Sequence, residues 1–348
     1  MKKTFITSIV IMILILALAL IQTGCGSGPA SQESTSDTSN SEDTSAGGTG
    51  KVYKIGISQF VEHPALDSAR EGFVDGLKEA GFEEGKNIEI IVENAQADFS
   101  TTQAIANKLI NEKVDLILAI ATPSAQAAVN ATKDISILVT AVTDPVDAGL
   151  VKSMEKPGTN VTGTTDMNPV KDQLKLLKEI IPSAKNVGII YNAAEPNSVV
   201  QVNIAKEAAK ELDLTIFEAT VANTSEINQA VQSLVSKVDA IYTPTDNTVA
   251  SAISNIVKVA NEAKIPVIGA ERGEVEGGAL ATIGIDYYLL GKQTGQMAAR
   301  VLNGENPAEM PVESSKDLKL IINKKSAEAL GITIPQEVLS RADEILEK

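Results

Sequence analysis

The sequence predicts an α/β protein of two similar lobes, each a mostly parallel sheet with helices on both faces, joined by a hinge that the chain crosses several times. Three observations predict it. From residue 51 onward, apolar spacing switches repeatedly between the alternation of a strand and the three-to-four-residue repeat of an amphipathic helix. The order of elements then restarts, and short segments correspond: Lys54-Ile55-Gly56-Ile57 with Asn186-Val187-Gly188-Ile189 at an offset of 132, and Ile120-Ala121-Thr122-Pro123 with Ile241-Tyr242-Thr243-Pro244 at an offset of 121. Elements left over after the second repeat would complete both sheets. The expected lobes are residues 51–163 with about 286–310, and 164–285 with about 311–348.

In the first half, Tyr53–Ser58 reads as a buried strand. Leu66, Ala69, Phe73, Leu77 and Ala80 then mark one face of a helix that stops at Gly81. Strands follow at Ile88–Val92, Leu116–Ala121 and Ile135–Val142, with helices at about Thr101–Glu112 and Ser124–Ala131 between them. In the second half the strands are Asn186–Tyr191, Thr215–Val221, Ala240–Thr243 and Pro266–Gly269, and the helices Ser198–Glu211, Ile227–Val235 and Val249–Ala263. A strand Ala279–Ile285, a helix Tyr288–Leu302 and a strand Leu318–Asn323 remain, and are expected to complete the two sheets, one in each lobe. Several crossovers make a hinge with a cleft between the lobes.

The beginning of the chain has a different character. Lys2 and Lys3 precede an apolar stretch from Phe5 to Ile21, which is a charged region followed by the hydrophobic core of a secretory signal. Cys25, the single Cys, follows Thr23-Gly24, and a small residue before a lone Cys here resembles the lipobox of bacterial lipoproteins. That predicts a signal peptide over 1–24, with Cys25 lipidated as the mature N-terminus; an uncleaved signal anchor is the alternative. Residues 25–50 are rich in Ser, Thr, Gly and acids and read as a flexible linker that cannot offset its own ordering entropy. Gly47-Gly48-Thr49-Gly50-Lys51 is not a phosphate loop, because it precedes a strand and lacks the Lys-Ser/Thr ending.

Composition excludes several functions. Of 348 residues, 30 are Lys or Arg and 45 Asp or Glu, a net charge of −15 that argues against nucleic acid. One His and one Cys exclude a multi-Cys/His zinc site and a disulfide framework. No paired carboxylates or catalytic triad stand at the strand ends, so neither catalytic residues, a cofactor nor a metal is expected, and the chain reads as a binding protein.

In open α/β sheets the ligand lies beyond the carboxyl ends of the strands. Those ends carry Ser58-Gln59-Phe60, Thr122-Pro123-Ser124 and Thr143-Asp144 in the first half. In the second they carry Tyr191-Asn192, Glu195 to Ser198, Thr243 to Asn247 and Glu271-Arg272. Hydroxyls and free N–H groups at a helix start suit a carboxylate, and Asp246 in the other lobe suits a cation. Together they suit a zwitterion such as a free amino acid. Each such residue also reads as a plain helix cap, and Tyr191 and Tyr242 as either half-buried strand residues or an apolar wall for a ligand side chain. His63, at a helix entry, reads as structural or as a cleft-rim contact, and Glu274 and Glu276 as a solvated loop.

Several segments together resemble the ABC transporter solute-binding lipoproteins of the tryptophan/tyrosine type. They are Phe60 to Asp67, Ala121 to Gln126, Ala141 to Val146, Asn160 to Gly163, Tyr191-Asn192 with Glu195 and Asn197-Ser198, Pro244 to Thr248, and Gly284 to Tyr288. The resemblance covers Lys51 to about Gly331 and implies the type I periplasmic-binding-protein fold, two Rossmann-like lobes closing on an aromatic amino acid. By the same resemblance, Thr122, Ser124 and Thr143 would hold the α-carboxylate and Asp246 the ammonium. Phe60, Tyr191 and Tyr242, beside Gln59, would shape the side-chain pocket, and Asn192, Glu195 and Asn247 would add polar contacts. It further implies a membrane permease and an ATPase as partners, a lipid anchor on the extracytoplasmic face, and no enzyme activity. A surface adhesin or sensor on the same fold is the alternative.

Overall fold

A computed structural model describes residues 50–347 apart from residue 316. The expected signal peptide, Cys25 and the linker up to residue 49 lie outside the described residues. The strands are β1 Tyr53–Gln59, β2 Ile88–Asn94, β3 Leu116–Ile120, β4 Ser136–Val142, β5 Val161–Thr165, β6 Asn186–Asn192, β7 Thr215–Val221, β8 Ala240–Tyr242, β9 Val267–Ile268, β10 Ala281–Ile285, β11 Glu313–Ser314, β12 Leu318–Asn323 and β13 Glu344–Leu346. They form a six-stranded sheet, β11-β5-β4-β3-β1-β2, and a seven-stranded sheet, β13-β12-β10-β9-β8-β6-β7. All pairs are parallel except β10 with β12. This is the type I periplasmic-binding-protein architecture.

The repeat seen in the sequence is a repeat of topology. β2-β1-β3-β4-β5 and β7-β6-β8-β9-β10 have the same order, and each half carries the same clamp. Asp115 accepts the N–H of Lys54 and returns its own N–H to Lys54 O, both at 2.8 Å. Asp239 does the same with Asn186, again at 2.8 Å in both directions. Helices cover both faces, so central strands are apolar throughout; every residue of β3 is buried.

The leftover elements depart from expectation. β10 and β12 both join the second sheet, as antiparallel neighbours, and the first sheet is completed by β5 and β11. β5, Val-Thr-Gly-Thr-Thr, escapes a sequence reading because Gly163 interrupts its short run of strand formers. A Cβ on Gly163 would stand 2.1 Å from Val139 O of β4, so only glycine lets the two strands approach.

The helix Tyr287–Leu302 leaves β10 of the second sheet and packs across helix Pro64–Glu79, beside β4 and β5 of the first. Glycines make that crossing. Cβ atoms on Gly72 and Gly291 would lie 2.0 Å from Tyr288 O and 1.9 Å from Ala69 O, and those on Gly76 and Gly295 would each lie 2.2 Å from a carbonyl oxygen. Backbone therefore touches backbone, and this contact commits the helix to the first lobe.

Candidate functional site

In each half the strand order turns back on itself beside the first strand, between β1 and β3 and between β6 and β8, and the residues after those strands face the cleft. On the first-lobe side the helix Thr122–Ala131 starts directly after β3, following Ala121 at φ 78° and ψ 154°. That conformation strains any residue with a Cβ and persists where the surroundings enforce it. It sets Thr122 and Ser124 in the helix's first turn, whose N–H groups have no intrahelical acceptor. The hydroxyls of Thr122 and Ser124, and that of Ser58 at the end of the neighbouring β1, are buried with no hydrogen-bond partner. Buried polar groups are normally satisfied, so these three orphaned hydroxyls have donors to spare for an acceptor.

Thr143 belongs to a different group. Its hydroxyl donates to Asp166 Oδ1 at 2.9 Å, and the Tyr287 hydroxyl donates to Asp166 Oδ2 at 2.6 Å. Asp166 follows β5 and was not visible from the sequence, because the strand that presents it was not. Burial pushes its carboxyl up from the usual carboxylate range.

The second lobe answers with carboxylates. Asp246 is buried and accepts from Asn192 N at 2.6 Å, Ser198 Oγ at 2.7 Å and Val249 N at 2.8 Å, capping helix Asn247–Ser251. Glu195 is more heavily committed: it accepts from Asn197 Nδ2, from both nitrogens of Asn247, and from the N–H and hydroxyl of Thr248. Asn192 bonds Thr248 Oγ1 and the N–H of Ala194. Asp246, Glu195 and Asn192 therefore build the loops that edge the cleft, where direct ligand contacts were expected. Burial and the charge of Glu195 push Asp246 well up.

Glu274, expected in a solvated loop, is 1% exposed on helix Arg272–Glu276. Glu271 caps that helix through Gly273 N and Glu274 N. Burial raises Glu271 to about 7, and burial with the charge of Glu271 raises Glu274 well above the carboxylate range. Glu276 stays on the surface, bonded to Arg272. His63 enters from the first lobe and meets Asn247 across the cleft, Nε2 to Oδ1 at 3.4 Å. Burial lowers it to about 4, so it is neutral. His63, Asp166, Asp246, Glu271, Glu274 and Tyr287 line one small interlobe pocket. Among the described residues no Lys or Arg is buried, and no cluster of His, Cys, Asp and Glu is placed to hold a metal ion.

Tyr242 is fully buried in the second-lobe core, its hydroxyl donating to Gln173 Oε1 at 2.7 Å. Tyr191 points along the sheet to β7 and donates to Glu218 at 2.9 Å. Phe60 is buried against Phe99, with ring centroids 5.2 Å apart. Gln59 is consumed by Val61 O, Asp67 and Arg70. Tyr242, Phe60 and Gln59 are buried within the lobes, and Tyr191 makes its bond at the surface of the second.

Comparison with known proteins defines the class. A sequence profile of the ABC transporter substrate binding protein family matches residues 54–346, and the chain belongs to that family, whose members bind solutes and do not transform them. A "Tyrosine-binding protein" of Clostridioides difficile is 50% identical over 282 residues, which cover 81% of this chain and 82% of that protein. The structure of an ABC domain in complex with L-Trp from Streptococcus pneumonia is 41% identical, with a TM-score of 0.83, over 85% of this chain and all of that one. The ligand-free, open structure of CD0873, a substrate binding protein with adhesive properties from Clostridium difficile, is 52% identical over the same 85% of this chain and all of that one, with a TM-score of 0.65. The chain superposes better on the L-Trp complex than on the open structure despite sharing less sequence with it. The His63–Asn247 contact across the cleft agrees with a closed arrangement. A solute-binding protein from Bacillus halodurans, 20% identical with a TM-score of 0.59, shares the fold.

Proposed function

We propose that the protein is an extracytoplasmic receptor that closes on a free aromatic amino acid, tyrosine or tryptophan, and delivers it to an ABC importer. The observation that carries this is the polarity of the cleft. Orphaned hydroxyls of Ser58, Thr122 and Ser124 lie beside a helix start on one side, and buried acids without a buried cation lie on the other. A zwitterion answers both: a carboxylate for the donors and an ammonium for the acids. The tyrosine and tryptophan named for the two relatives support the choice among amino acids. A permease and an ATPase are the partners this role requires, and diacylated Cys25 would hold the receptor on the extracytoplasmic face of the membrane.

The test is a thermal-shift screen against the twenty amino acids, followed by calorimetry, on protein refolded to strip carried-over ligand. At a hundredfold excess over Kd a ligand stabilises by about 2.7 kcal/mol, which gives a rise of several degrees for one or two aromatic amino acids. A flat screen would overturn the reading. A second reading, adhesion, is favoured by the adhesive properties stated for the 52% identical CD0873. It requires that variants in the cleft abolish solute binding and leave cell-surface binding intact.

A further inference from the structure

The corner His63-Pro64, which opens helix Pro64–Glu79 in the first lobe, reaches across to the second. His63 Nε2 meets Asn247 Oδ1 at 3.4 Å, and Pro64 faces Gly273 on helix Arg272–Glu276. A Cβ on Gly273 would stand 3.0 Å from Pro64 Cβ, closer than side chains ordinarily pack, and 2.9 Å from Glu271 Oε1. Glycine is the poorest helix former after proline, so nothing local explains it in the first turn of a five-residue helix. The approach of Pro64 does. Both surfaces are rigid. Proline fixes its own φ at the first helical position, and the helix behind it is in backbone contact with helix Tyr287–Leu302. Opposite, helix Arg272–Glu276 is pinned along its length. Glu271 caps its start through Gly273 N and Glu274 N. Arg272 donates to both carboxylate oxygens of Glu344 on β13, at 2.6 and 2.8 Å. Asn323 at the end of β12 donates to Val275 O at 2.9 Å, and Ser326 to Gly278 O at 2.7 Å. Neither side yields easily, so the fit between them decides how far the lobes approach.

We propose that the docking of Pro64 on Gly273, beside the His63–Asn247 contact, is a latch that holds the lobes closed and sets affinity without selecting the ligand. The proposal rests on the receptor reading above and deepens it by naming what governs closure. Every atom of the latch belongs to the protein, so it contributes to closure whichever solute is bound. Its place agrees with that role. Pro64 and Gly273 line a surface groove of about 270 Å³ together with Ser68, Arg272, Glu276 and Tyr288, and that lining includes none of the orphaned hydroxyls of Ser58, Thr122 and Ser124. A solute that binds the closed arrangement has an apparent Kd equal to its intrinsic Kd divided by the closed fraction. A change in the latch therefore scales all affinities by one factor. A change in a residue that touches the ligand alters their ratio instead. Pro64 and Gly273 are thus positioning residues, acting through the distance between the lobes.

The experiment is calorimetry with L-tyrosine and L-tryptophan, well below the melting transition, on the refolded full chain, Gly273→Ala, Pro64→Gly and the double variant. Small-angle X-ray scattering of each, without added amino acid, reads the separation of the lobes. Gly273→Ala is expected to weaken both ligands at least about tenfold and Pro64→Gly about threefold, with the ratio of the two affinities kept within about twofold. In the double variant the new methyl group meets the space that the proline vacated, so affinity should stay within about threefold of Pro64→Gly alone. Scattering should give Gly273→Ala a larger radius of gyration than the parent, and the double variant should reverse the increase. A changed ratio would put the corner on the ligand and overturn the latch. Additive losses, about thirtyfold in the double variant, would place the clash inside the second lobe against Glu271 and overturn it too. If neither amino acid binds, the ligand reading fails and scattering alone judges the latch, which superimposable curves for the parent and Gly273→Ala overturn. Should Gly273→Ala not fold, Pro64→Gly decides by itself: affinities and scattering equal to the parent's overturn the proposal.

Discussion

Asp246→Ala separates what the sequence suggested for this residue from what its surroundings make of it. As a direct ammonium contact, Asp246 would lower ligand affinity at least about tenfold on removal. As the hub of a loop, it would mainly lower stability. The second effect can be sized from its three donors. Loss of the cap on Val249 N costs about 1 kcal/mol. The buried N–H of Asn192 loses a 2.6 Å bond, and an orphaned buried donor costs about 1–3 kcal/mol. Ser198 can turn its hydroxyl and loses less. Removing a carboxyl that burial and Glu195 already disfavour offsets part of this. The net is about 3 kcal/mol, which for a protein of this size lowers the Tm by about 5 °C. The assay pairs a thermal melt with calorimetry well below the transition, where affinity should change by less than about threefold. A Tm within about 2 °C of the parent together with a tenfold loss of affinity would refute the cap assignment and restore Asp246 to the ligand.

Two further outcomes follow from the packing. Gly291→Ala would gain about 1 kcal/mol in helix propensity, but its methyl carbon would sit 1.9 Å from Ala69 O, against backbone that cannot swing aside. It should destabilise by about 3 kcal/mol or more in urea unfolding, and a stability at or above the parent's would show that the helices are not in backbone contact. Tyr242→Phe removes the donor to Gln173 Oε1 in the second-lobe core. It should cost about 1–2 kcal/mol with ligand affinity unchanged, and a loss of affinity without a loss of stability would return Tyr242 to the cleft wall.

The limits of the sequence reading have particular causes. The helix start at Thr122 was legible because a helix opening directly after a buried strand is a local pattern, carried by a few consecutive residues. Tyr191 and Tyr242 were misplaced because a strand position tells which residues share a face and not which neighbour that face meets. Only the β7-β6-β8 order turns Tyr191 toward Glu218, and only the helix Val170–Ile180 brings Gln173 to Tyr242. Asp166 was hidden behind Gly163, which reads as a break until the approach of β4 explains it. Glu274 looked solvated because its five-residue helix is too short to show a period.

The sequence by itself determined the alternation of elements, the duplication, and the two rows of strand ends between which a ligand would lie, because periodicity and repeats are written in neighbouring residues. How many donors each buried acid already serves was decided only by the tertiary structure. A carboxylate's spare capacity depends on who else donates to it, and those donors come from far along the chain: Tyr287 to Asp166 across 121 residues, Ser198 to Asp246 across 48 and Thr243 to Glu274 across 31.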